Sequence, residues 1–117
     1  MKKRVVVGGT LEEAASRVAR AWKGAAEGGG ADGSDTTTFV SWSALASVMT
    51  DKRHELLRHL HRTPAPSIRA LARDLGRDFK RVHEDVAALE KAGLLERRDG
   101  ALHADYSEIQ AAILLEA

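Results

Sequence analysis

The sequence predicts an α+β fold, and three observations carry the prediction. Between Ser67 and His103 two short helical patterns are joined by Gly76, Arg77 and Asp78. Two short strand patterns then flank Asp99-Gly100, a dipeptide that favours a type I′ hairpin turn. A further helical pattern begins at Thr50 and is broken at Thr63-Pro64-Ala65-Pro66, because each proline disfavours helical geometry in the residue before it. Helix, helix, tight turn, helix and hairpin is the order of a winged helix-turn-helix, expected over 50–105. Residues 1–49 are expected to form a small strand-helix-strand extension, and 106–117 a short C-terminal segment.

Lys2 to Val7 opens basic and becomes a β-branched run, a strand that stops at Gly8-Gly9. Thr10 and Glu13 form a capping box ahead of Leu11, Ala14, Ala15, Val18, Trp22 and Ala25, one face of a helix to about Glu27. A strand leading through glycines into a helix N-terminus also suits phosphate. However, Val5 to Leu11 matches neither G-x-G-x-x-G nor G-x-x-x-x-G-K-[ST], so a plain capped turn is expected there. Gly28 to Thr38, GGGADGSDTTT, has the composition of a flexible loop. Phe39 to Ser41 resumes an extended pattern, and Trp42 to Met49 is a short helix or turn. Trp22 and Trp42 are expected to anchor the core.

Thr50 caps a helix in which Leu56, Leu57 and Leu60 share a face, with Lys52, Arg53, Arg58 and Arg62 mainly outside it. Ser67 caps the next, where Ile68, Leu71, Ala72 and Leu75 repeat at helical spacing and Gly76 supplies the C-terminal turn. Asp78 caps a third with Phe79, Val82, Val86 and Leu89 turned to the core, ending at Gly93. Leu94 to Arg98 and Ala101 to His103 are the hairpin strands. The tail from Tyr106 allows two readings: Ile109, Ile113 and Leu114 suit a helix, whereas Ile109, Ala111 and Ile113 alternate as a strand that could pair with Val5 to Val7.

Composition narrows the function. The 117 residues suit one compact domain with a modest extension, and the absence of cysteine removes disulfides, thiolate metal sites and cysteine nucleophiles. No long apolar run is present, so a cytoplasmic protein with no membrane partner is expected. The five histidines form no H-x-x-x-H pair, and no metal or other cofactor is expected. No signature of a catalytic triad or carboxylate pair is found, and the chain is not expected to be an enzyme.

The net charge of +1 hides a local imbalance: from Ser67 to His83, five cations stand against Asp74 and Asp78. A helix-turn-helix sets its second helix in the major groove, where residues near the helix N-terminus meet base edges. For the helix over 78–92 the outward residues are Lys80, Arg81, Glu84 and, in part, His83. Arginine can donate two parallel hydrogen bonds to guanine and glutamate can accept one from cytosine, so Arg81 and Glu84 are the expected base readers. Ser67, Arg69, Arg77 and Lys80 are expected at phosphates. Arg97 and Arg98, beside the hairpin turn, could follow the backbone or enter a minor groove. The plainer alternative is a charged helix surface that confers solubility, in which Arg81 and Asp85 form an i, i+4 pair.

The run TDKRHELLRHLHRTPAPSIRALARDLGRDFKRVHEDVAALEKAGLLERRDG from Thr50, and the F-V-S-W before it, resembles the winged-helix predicted transcriptional regulators of bacteria and archaea. These are related to MarR-type and ArsR-type regulators. The resemblance is strong over residues 39–100, about half of the chain, and loose over Val5 to Ala25. It implies a homodimeric, sequence-specific binder of double-stranded DNA that acts as a regulator, with repression as the expected sign. Some members of the group look like antitoxins encoded beside a small toxin, which implies, as an alternative, a toxin partner and autoregulation. The glycine-rich loop and alanine-rich tail depart from typical relatives.

Overall fold

A computed structural model of the chain describes residues 2–8 and 36–115. In it the fold is mixed α/β: β1 (Lys2–Val7), β2 (Thr36–Phe39), α1 (Trp42–Val48), α2 (Asp51–Arg62), α3 (Ile68–Leu75), α4 (Phe79–Lys91), β3 (Glu96–Arg98), β4 (Ala101–His103) and β5 (Glu108–Ile113). The expected helix from Thr10 to Glu27, its Trp22 and the strand-glycine-helix phosphate reading lie wholly or partly outside the described residues. Two compact units divide the chain: Met1–Ala46 with Tyr106–Ala117, and Ser47–Asp105.

The first unit holds a parallel sheet in the order β2-β1-β5. Val5 pairs with Thr37 on one side and Ala111 on the other, and Val7 with Phe39 and Ile113. Paired positions of a parallel sheet share a face, so Val5, Val7 and Phe39 are buried together. The tail is therefore the strand its alternation allowed, paired with β1 from Lys2 to Val7.

Two expectations are corrected in this unit. Thr36 to Thr38 belong to β2 rather than to a loop, because three β-branched threonines suit a pleated surface once β1 offers a ladder. Trp42 is no core anchor: it is exposed at the start of α1, where Leu45 is the buried residue.

In the second unit each helix is closed by local chemistry. Thr50 Oγ1 accepts from the Arg53 N–H at 3.3 Å, Ser67 Oγ from Ala70 at 3.0 Å and a carboxylate oxygen of Asp78 from Arg81 at 3.2 Å, satisfying donors that helix N-termini otherwise leave open. At the end of α3, Gly76 sits at φ +65°. The Gly76 and Arg77 N–H groups then reach the Arg73 and Ala72 carbonyls, the paired bonds of a Schellman turn.

Leu56, Leu60, Leu71, Val82, Val86, Leu89, Leu94 and Leu102 fill the core of this unit. The hairpin turns as expected through positive φ at Asp99 and Gly100. It is shorter than expected, since Leu94 and Leu95 are buried ahead of β3, outside the ladder. Ala65 and Leu102 exchange backbone hydrogen bonds at 3.1 and 2.7 Å, and the His61 ring meets the Ala104 carbonyl at 3.1 Å, fastening the hairpin beside α2.

Candidate functional site

The outward face of α4 follows from its inward one. Val82, Val86 and Leu89 are fully buried, which turns Lys80, Arg81 and Glu84 to solvent. Among the described residues these three side chains form no ion pair or side-chain hydrogen bond. They border an open concavity of about 590 Å³, with Thr50 and Lys52 of the α2 N-terminus across from them.

Asp85 lies behind this face and is not the partner of Arg81. Its Oδ1 accepts from Arg53 Nε at 3.0 Å and its Oδ2 from Arg77 Nη2 at 2.8 Å. The three side chains are only 13% to 19% exposed. Arg53 Nη1 also donates to the Ser47 and Val48 carbonyls, both at 3.0 Å, so one guanidinium joins the end of α1 to α4. Two expectations change. Arg53 is not on a free outer face of α2, and Arg77 is held inward, with Nη1 buried and lacking a hydrogen-bond partner. An i, i+4 geometry was open to Arg81 and Asp85, but Asp85 follows Val82 by three residues and so flanks the buried stripe. That spacing places Asp85 beside the buried stripe, while its two partners come from outside α4.

Phe79 differs most from expectation. It is 40% exposed rather than in the core, because it occupies the first position of α4, ahead of the fully buried stripe. The Arg69 guanidinium carbon stands 4.7 Å from its ring centroid, and the His83 ring lies 5.9 Å away, tilted by 47°. An exposed cation–π contact of this kind contributes about 0.5–1 kcal/mol.

The remaining expected residues are engaged locally. Ser67 caps α3. Arg97 meets both carboxylate oxygens of Glu90 at 3.2 and 3.3 Å, and Arg98 pairs with Asp105 and, at 3.7 Å, with Glu96. Such exposed pairs contribute little to stability. Among the described residues no three His, Asp or Glu side chains gather at metal-binding spacing, and no helix is long and apolar enough to cross a membrane.

The site is thus a cationic helix face beside a hairpin, carried by a compact unit of three helices and two strands. The chain belongs to the family described as HVO_A0114, whose model matches residues 48–111, more than half of the chain. No curated protein and no solved structure gives a significant match.

Proposed function

We propose that the chain is a winged-helix regulator that binds double-stranded DNA sequence-specifically as a homodimer, with α4 in the major groove and the β3–β4 hairpin as the wing. The observation that carries this reading is the division of charge on α4. Asp85 is turned inward and neutralised by Arg53 and Arg77, while Lys80, Arg81 and Glu84 project outward without partners among the described residues. Solubility alone would not require sorting the helix in this way.

In this role Arg81 and Glu84 read base edges and Lys80 holds a phosphate. Arg97 and Arg98 exchange their carboxylate partners for the backbone beside the wing. A two-fold dimer matches two half-sites, and bound promoter DNA is withheld from transcription.

The test is enrichment of bound duplexes from a random pool by the full chain, followed by affinity measurements across a range of salt. The expected result is one enriched, two-fold symmetric sequence whose affinity falls steeply as salt rises. Equal affinity for the enriched and a scrambled duplex would overturn the proposal.

A further inference from the structure

Phe79 is an aromatic ring left at the surface on the first turn of the helix that carries the outward cations. Arg69 lies over it and His83 beside it on the next turn. Lys80 and Arg81 follow it directly in the chain and are exposed. A ring that only filled space would be expected among Val82, Val86 and Leu89, all of which are fully buried. Instead it lies at the start of α4, with the Arg69 guanidinium carbon of α3 4.7 Å from its ring centroid.

We propose that Phe79 is a specificity-determining contact for the C5-methyl group of a pyrimidine in the major groove. The inference rests on the DNA-reading role of α4 and deepens it. Base edges in that groove offer hydrogen-bond donors and acceptors almost throughout, and the C5-methyl is the apolar feature that an aromatic side chain can recognise. The first turn of a helix docked there is the part that meets base edges. Arg69 acts as a positioning residue: it keeps the ring in one place before DNA arrives, which lowers the ordering cost of the contact. Thymine and 5-methylcytosine present the same group, so the recognised feature is the methyl rather than the base.

The experiment uses the duplex enriched by the wild-type chain, resynthesised in two series. In one, uracil replaces thymine at each position in turn, which removes the methyl alone. In the other, 5-methylcytosine replaces cytosine, which adds it. The expected result is one position per half-site where the methyl changes wild-type affinity about fourfold, the factor that burying one methyl supplies. A loss in the uracil series identifies thymine, and a gain in the other identifies 5-methylcytosine. Phe79→Ala is expected to abolish the effect and Phe79→Leu to keep part of it.

No methyl-sensitive position, or the same sensitivity in Phe79→Ala, would overturn the inference while leaving DNA reading intact. Failure of the wild-type chain to select any sequence would overturn the DNA-reading role itself. The wild-type series alters only the DNA, so it does not depend on how any variant folds.

Discussion

Arg53 Nε donates to Asp85 Oδ1 at 3.0 Å across 32 positions of sequence, joining the first turn of α2 to the middle of α4. Arg77 occupies the other carboxylate oxygen, so one half-buried carboxylate serves two guanidinium groups. Asp85→Ala leaves both cations half-buried without their carboxylate, and it is expected to destabilise the unit by about 3 kcal/mol. Urea denaturation measures this. A midpoint unchanged from wild type would show that the cluster contributes no stability.

Lys80 and Arg81 are adjacent and both exposed, yet their replacement is expected to have different signatures. Arg81→Ala should lower discrimination at one base position per half-site by about 1–3 kcal/mol. Lys80→Ala should weaken binding to every sequence and flatten its salt dependence. Binding isotherms on the enriched and scrambled duplexes separate the two, and identical profiles would remove the division of roles.

The two ends of α3 give a pair of stability predictions. Ser67→Ala removes the oxygen that accepts from Ala70 and should cost about 1 kcal/mol. Gly76→Ala meets no atom within 4 Å, so its cost is that of placing a side chain at φ +65°, about 1–2 kcal/mol. Thermal melts that showed Gly76→Ala more stable than wild type would contradict the left-handed turn.

Tyr106 is the only tyrosine, and burial pushes its phenol up to about 12 from an ordinary value of 10.0. The neutral phenol is thus favoured by folding. Between these values the unfolded chain has released a proton that the folded chain retains. The contribution is therefore complete below pH 10 and is lost as pH rises towards about 12. Tyrosinate absorbance in the folded protein should rise only near the upper value, and a transition at the ordinary one would refute the burial effect.

What could be read from the sequence was what the chain decides locally. Thr50, Ser67 and Asp78 cap the helices they precede, and Asp99-Gly100 turns the hairpin, because caps and turns depend on a few adjacent residues. β2 was hidden, since its threonines become a strand only beside β1, thirty-odd positions away in sequence. The β5 sequence suits strand and helix alike, and only the ladder with β1 decides between them. Within the site, the outward direction of Lys80, Arg81 and Glu84 followed from helical periodicity. The inward pull on Arg53 and Arg77 did not, because both partners of Asp85 come from outside α4. Phe79 matched the core spacing and still lies at the surface: periodicity fixes a direction around the helix axis, not how far along that axis the core extends.

The sheet that pairs Lys2 with Glu108 and Val7 with Ile113 also sets an order of events during synthesis. β1 leaves the ribosome before β5, the strand that covers one of its edges, which follows the whole of Ser47–Asp105. The helices and hairpin, whose contacts are closer in sequence, can therefore be complete while β1 still lacks that neighbour. Until translation reaches Ile113, that edge of β1 stays open, and β5 is what closes it.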